Sequence, residues 1–121
     1  MEERWTLSYQ HKAQRLLIVA EGFATESGCR KAAREFAELI GDKQLDVVVD
    51  LNKMTGYSTG ARVAWQQGFY PFRKQMRELS IVARQLSAII RMGATVVGAF
   101  IGVPVRFYAS MEDLGQRRGV A

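Results

Sequence analysis

The sequence predicts one α/β domain with a mixed, mostly parallel sheet and the element order β-β-α-β-α-β-α-β. Two observations support this prediction. The chain has 121 residues, close to the commonest domain size of roughly 100–150 residues, so we expect a single domain over residues 1–121. Segments with the composition of buried strands also alternate with segments of helical periodicity. Such alternation indicates right-handed crossovers between parallel strands.

The first part of the chain predicts two strands and a helix. Apolar and polar residues alternate over residues 5–9, as in a half-buried edge strand that runs antiparallel to its neighbour. Residues 16–20 are apolar on both faces, which is typical of a central strand, and Glu21-Gly22 are expected to end it. A helix then follows, with Thr25 as its N-cap and Gly41 at its C-terminal cap.

The rest of the chain continues the alternation. Residues 45–51 are rich in β-branched side chains and predict a second buried strand. A loop containing Gly56 leads to a helix that begins near Ser58 or Thr59, and Pro71 should kink or split this helix. The remaining predicted elements are a strand at 79–84, a helix at 85–100, a strand at 105–109 and a short helix beginning near Met111.

Charge and cysteine usage narrow the class of protein. The net charge is +5, from 17 basic and 12 acidic residues. The basic residues are scattered and do not interleave with aromatic ones, so no nucleic-acid partner is expected. Cys29 is the single cysteine and the first residues lack the apolar stretch of a signal peptide, which favours a cytoplasmic location. Residues 87–105 could span a bilayer by length, but Arg91 and Pro104 favour a helix followed by a strand.

Catalytic motifs are missing from the sequence. His11 is the single histidine and falls in a predicted hairpin turn, so with Cys29 it cannot build a triad or a metal cluster. Gly56 and Gly60 match neither the P-loop nor the dinucleotide fingerprint. We therefore expect a non-enzymatic protein without a cofactor.

Residues 50–60, which read Asp-Leu-Asn-Lys-Met-Thr-Gly-Tyr-Ser-Thr-Gly, indicate a functional surface. This passage leads from the end of a buried strand to the start of a helix, at the sheet edge where ligands usually bind in open α/β folds. Ser58 or Thr59 could cap the helix by accepting a hydrogen bond from a free backbone N–H. A hydroxyl there could instead carry a phosphate, which the helix N-terminus and Arg62 would stabilise.

This passage resembles the STAS-domain family, to which bacterial anti-sigma-factor antagonists such as SpoIIAA belong. Asp50-Leu51 is similar to the family's strand end, and Ser58-Thr59-Gly60 is similar to its phosphorylation loop. The resemblance implies a STAS/SpoIIAA-like fold and a regulatory module for protein interaction. It further implies that Ser58 is phosphorylated by a partner kinase.

The chain also departs from the family pattern. Tyr57 stands where the family has Asp, and the second helix is unusually aromatic. These departures resemble a divergent SpoIIAA-like branch that is grouped with CRAL-TRIO lipid-binding domains.

Two functions are therefore expected to compete. In the first, a partner protein, such as a kinase or an anti-sigma-type regulator, binds through Tyr57, Ser58, Thr59 and Arg62. In the second, an apolar or lipid-like ligand lies between the second and third helices. The residues predicted to line that pocket are Trp65, Phe69, Phe72, Ile89, Val96 and Phe100. A homodimer is compatible with either function.

Overall fold

The computed structural model describes residues 2–119, with side chains through residue 115, and confirms the predicted element order. The strands are β1 (Arg4–Gln10), β2 (Arg15–Ala24), β3 (Leu45–Tyr57), β4 (Met76–Val82) and β5 (Val105–Tyr108). The helices are α1 (Glu26–Ile40), α2 (Thr59–Phe69), α3 (Ala88–Ile101) and α4 (Met111–Gly119), and a short 3-10 helix, Tyr70–Phe72, follows α2.

The five strands form one mixed sheet in the order β1-β2-β3-β4-β5. β1 is antiparallel to β2, and the other three pairings are parallel, as predicted. Each parallel crossover steps to the adjacent strand. Right-handed crossovers of this kind place their helices on the same face of the sheet. Accordingly, α1, α2 and α3 share one core with that face, and its sheet residues include Leu16, Ile18, Val47, Val49, Leu79 and Ile81.

Helix α1 begins and ends where the sequence predicts. The Thr25 hydroxyl accepts a hydrogen bond from the Gly28 amide at 3.1 Å, which satisfies one of the free N–H groups of the first turn. Gly41 follows the last turn with a φ of 50°, a value that glycine adopts without steric cost. The inner face of α1 buries Cys29 and Phe36 among other residues, while its outer face is charged.

Two predicted strand ends are wrong. β2 does not stop at Glu21-Gly22 but continues to Ala24, because Gly22 adopts a φ of 79° and the register shifts beside it. β3 does not give way to a loop at Gly56 but runs to Tyr57. The two extensions pair with each other, so their polar residues and glycines lie in a two-stranded ribbon beyond the body of the sheet.

The later elements differ from prediction mainly in their ends. Pro71 does split the second helix, since α2 ends at Phe69 and a 3-10 turn follows. β4 begins and ends a few residues earlier than predicted. α3 begins at Ala88, after a cap at Ser87, and has 14 residues. No helix within residues 2–119 is both long enough and apolar enough to cross a membrane.

The opposite face of the sheet is covered differently. A small second cluster packs there, in which Val48, Val82 and Tyr108 of the sheet contact Leu114 of α4. Ion pairs join neighbouring strands, with Arg106 Nε 3.0 Å from the Glu78 carboxylate. The three longer helices therefore lie on the face that also carries the main core.

Candidate functional site

Ser58 lies directly between β3 and α2, without an intervening loop. Its backbone N–H donates to the carbonyl of Ala24 at 3.0 Å, which ties the junction to the end of β2. Its Oγ accepts a hydrogen bond from the Ala61 amide at 3.1 Å, so the predicted N-cap is present. The residue is half-buried, whereas Thr59 is exposed.

The charge around this helix start comes from another helix. A Cβ atom added to Gly60 would clash with a carboxylate oxygen of Glu26, so the first turn of α1 packs against the first turn of α2. Arg30 holds the Glu26 carboxylate at 3.0 Å. A phosphate on Ser58 would thus meet a helix N-terminus whose neighbourhood already contains a carboxylate. Phosphorylation of Ser58 stays a prediction.

Tyr57 connects this edge to α3. Its hydroxyl donates to the carbonyl of Ile89 at 2.8 Å, in the first turn of α3. The ring approaches α3 at Gly93, where an added Cβ would come within 2.5 Å of the hydroxyl oxygen. Tyr57 therefore positions the start of α3.

A cavity of about 100 Å³ lies between the helices and the sheet. Of the predicted site residues it brings together Tyr57, Arg62, Trp65 and Phe69. Further lining residues, which the sequence did not indicate, include Trp5, Met54, Ala94 and Val97. Engineered apolar cavities of about 150 Å³ stay dry and bind benzene, so this volume suits only a small apolar molecule.

Four of the predicted pocket residues do not line this cavity. Ile89, Val96 and Phe100 are exposed on the outer side of α3. Phe72 instead packs edge-on against Phe36, with ring centroids 5.7 Å apart. The reason lies in α3, which carries apolar residues on two faces, so helical spacing alone could not tell which face packs inward. The buried side of α3 consists of Gly93, Val97, Gly98 and Ile101.

The Cys29 thiol is buried in the cavity wall, where its charged form is disfavoured. Burial raises the pKa of Cys29 to about 12, and the adjacent Trp65 side chain offsets that rise only in part. The indole Nε1 of Trp65 is itself buried, and it has no hydrogen-bond partner among the described residues. Because the thiolate is the nucleophilic form, Cys29 acts as a small apolar core residue.

The outer face of α3, defined here by Ile89, Met92, Val96 and Phe100, is the most exposed apolar surface of the described chain. The exposed fractions of these side chains are 65%, 60%, 39% and 53%. Their spacing of three or four residues places them in one stripe along the helix. Tyr70 extends the stripe, since its ring centroid lies 5.7 Å from that of Phe100.

Arginines flank this stripe on both sides. Arg73 lies over the Tyr70 ring, with its Cζ 4.0 Å from the ring centroid. Arg91 lies over the ring of Phe107 in β5, at 4.4 Å. Neither takes part in the four ion pairs found among the described residues. Glu78 is the one acidic residue between Leu51 and Met111, so this half of the chain is strongly basic.

The remaining chemically versatile side chains form no cluster. His11 lies in the exposed β1–β2 turn, as predicted, and contacts the Tyr9 ring edge-on. Within the described residues, no three His, Cys, Asp or Glu side chains are close enough to hold a metal ion.

Comparison with known proteins identifies the fold. No protein-family model matches the chain, and no curated protein matches it in sequence. A solved structure does match it: an uncharacterized protein of the DUF3478 family from Shewanella loihica PV-4, which has a SpoIIAA-like fold. The TM-score is 0.70 at 12% identity, over 94% of this chain and 92% of the other. The chain therefore has a SpoIIAA-like fold, as the sequence resemblance implied.

Proposed function

We propose that this chain is a non-enzymatic interaction module that binds a partner protein through the outer face of α3 and the adjoining Tyr57–Arg62 edge. The single observation that supports the proposal is the row of four large apolar side chains, each 39–65% exposed, on one side of α3. Contiguous apolar patches on a monomer surface mark interaction sites more often than chance exposure does.

The same surface includes the edge where the sequence predicted partner binding. Tyr57 holds the start of α3 through its hydrogen bond to Ile89, so the helix and the edge form one continuous region. Arg62 lies one turn into α2, where its Nη1 donates to the Gln66 side chain at 2.7 Å. A partner seated on α3 would therefore reach the β3–α2 junction without any rearrangement of the fold.

Co-purification from the native host tests this proposal. We expect the wild-type chain to retain a protein that the Met92→Glu variant loses, because a carboxylate on the apolar stripe is costly to bury against a partner. Arg34→Glu on the exposed face of α1 is the matched control and should retain the same protein. Equal recovery with Met92→Glu would contradict the proposal.

A second candidate function, binding of a small apolar ligand, rests on the cavity that Trp65 and Phe69 line. Native mass spectrometry of the purified chain separates it from the first candidate. A bound small molecule that Ala61→Leu displaces would support it, since Ala61 lines the cavity and is 1% exposed. A mass equal to that of the chain alone, together with no shift in the melting temperature under xenon pressure, would rule this candidate out.

Phosphorylation of Ser58 would make the module switchable, and it has its own test. Ser58→Ala removes the cap and should cost about 1 kcal/mol in the free energy of unfolding. Ser58→Asp keeps a capping oxygen, so stability should return. If Ser58 is a switch, Asp should change partner affinity about tenfold, or roughly 1.4 kcal/mol. Unchanged affinity, with no phosphate on protein from the native host, would leave Ser58 as a cap.

A further inference from the structure

We infer that the partner segment that docks on the outer face of α3 is an acidic amphipathic helix. This inference rests on the proposed function and adds the chemistry of the partner. It comes from the charge that surrounds the apolar stripe and from the way in which two arginines are held there.

The stripe has a basic margin on each side. α3 contacts both α2 and β5. Arg73, which follows α2, lies over Tyr70 beside Phe100, whereas Arg91 projects from α3 over Phe107 of β5. Neither arginine belongs to the four ion pairs of the described chain. A partner with carboxylates along both margins of an apolar face would pair with both guanidinium groups.

The arginines are also fixed in place. The Arg73 guanidinium stacks on Tyr70 and donates from Nη1 to the Tyr70 carbonyl at 2.8 Å. The Arg91 guanidinium lies above the ring of Phe107. A planar, seated guanidinium favours two parallel hydrogen bonds to a carboxylate and loses less rotamer entropy on binding. This arrangement matches discrete carboxylates of a protein better than the diffuse charge of a membrane.

The same charges disfavour a second copy of this chain. In a symmetric dimer an interface patch faces itself, so Arg73 and Arg91 of each copy would approach like charges. A helical partner also fits the shape of the site. Side chains at positions 89, 92, 96 and 100 form a ridge at spacings of three and four residues, which packs into the grooves of another helix.

Selection from a library of random displayed peptides tests the inference without assuming a sequence. The peptides need about 15 residues, enough for four helical turns. Peptides selected on the wild-type chain should be rich in Asp and Glu, with apolar residues at helical spacing. They should bind the double variant Arg73→Glu/Arg91→Glu at least about tenfold more weakly. The control Arg34→Glu should bind them as the wild type does.

The outcomes distinguish a failure of this inference from a failure of the proposed function. Peptides whose binding is lost in the Met92→Glu variant, but which have no excess of Asp and Glu, would overturn the inference and still support the proposed interaction module. A selection that yields no Met92-dependent peptide would overturn both. Sedimentation with phosphatidylcholine vesicles, with or without phosphatidylserine, covers the membrane. Binding to the anionic vesicles that Arg73→Glu/Arg91→Glu abolishes, in the absence of acidic peptides, would assign the surface to lipid.

Discussion

Helices α1 and α3 pack against the same face of the sheet, yet their outer faces have opposite character. The outer face of α1 carries exposed charged residues, among them Arg30, Lys31, Arg34, Glu35 and Glu38. The outer face of α3 carries Ile89, Met92, Val96 and Phe100 instead. The fold requires one apolar face of each helix, so it explains α1 completely and α3 only in part. The excess apolar surface of α3 is what we assign to binding.

The inner faces of the two helices differ in the size of their side chains. α1 fills the core with large side chains, and Phe36 contacts the rings of Phe69 and Phe72 at centroid distances of 5.0 and 5.7 Å. α3 meets its neighbours through Gly93 and Gly98, which allow close approach. Most of the large buried side chains that stabilise the core therefore lie on the α1 side, and α3 lies nearer the surface. The predictions below test this division, from the largest effect to the smallest.

Substitution of Phe36 should have the largest effect on stability. Phe36→Ala removes a fully buried ring and leaves a cavity, and we expect a loss of about 3–5 kcal/mol in the free energy of unfolding. Glu35→Ala, one residue earlier on the exposed face, should change it by less than about 0.5 kcal/mol. Urea denaturation measures both. A small effect at Phe36 would show that α1 does not anchor the core.

Close approach of α3 to β5 predicts a smaller loss. A Cβ at Gly98 would clash with a methyl group of Val105 and would lie 3.3 Å from the carbonyl oxygen of Val103. Gly98→Ala should therefore destabilise the protein by about 1–3 kcal/mol, although alanine favours helices. Val105→Ala removes the clashing methyl groups. Gly98→Ala should therefore cost less free energy of unfolding in the Val105→Ala background than in the wild type. A stabilising Gly98→Ala would show that α3 has room to move outward.

The start of α1 predicts a stability that depends on pH. Burial tends to raise the pKa of Glu3, but hydrogen bonds from the Thr25 hydroxyl, the Trp5 indole and the Thr25 amide bring it below its ordinary value of 4.5. The charged form is thus favoured in the folded state. The contribution of charged Glu3 to the free energy of unfolding is fully present at pH values above the ordinary pKa of a carboxyl group. It is lost as the pH falls through the lowered pKa.

Glu3→Gln should accordingly cost about 0.5–1 kcal/mol at neutral pH, since hydrogen bonds to a charged group are lost and solvent screens that charge. The difference from wild type should shrink as the pH falls below that range. Denaturation curves at several pH values measure the trend, and Glu2→Gln on the exposed neighbouring residue is the control. A difference that stays constant with pH would contradict this role of Glu3.

The outer face of α3 predicts the smallest effect on stability. Met92 is 60% exposed, so Met92→Ser should change the free energy of unfolding by less than about 0.5 kcal/mol. The buried neighbour Val97→Ser is the matched comparison and should cost several times more. A large loss at Met92 would mean that this face serves the fold, and the comparison between α1 and α3 would fail.

Much of the fold could be predicted from the sequence, because periodicity reports burial. The antiparallel β1, the capped α1 and the split at Pro71 each follow from local chemistry. The ends of β2 and β3 could not be predicted, since Gly22 and Gly56 are turn residues by composition. Only the pairing of the two extensions with each other makes them strand.

The helix cap at the β3–α2 junction could be predicted from the sequence, but the set of residues that lines the cavity could not. The cap at Ser58 follows from its place before a helix, and the structure confirms it. The orientation of α3 could not be derived, because a helix that is apolar on two sides has no single inward face. Arg73 and Arg91 gave no signal as a pair, since 18 positions separate them and only the fold brings them to one surface.

Site-specific photo-crosslinking in the native host tests the docking surface most directly. A photoreactive phenylalanine analogue at position 92 reports contacts within a few ångström of the stripe. The same analogue at position 31, on the exposed face of α1, is the control. We predict a protein adduct of one defined mass at position 92 and none at position 31. An adduct shared by both positions, or none at position 92, would contradict the assignment of the outer face of α3 to a partner.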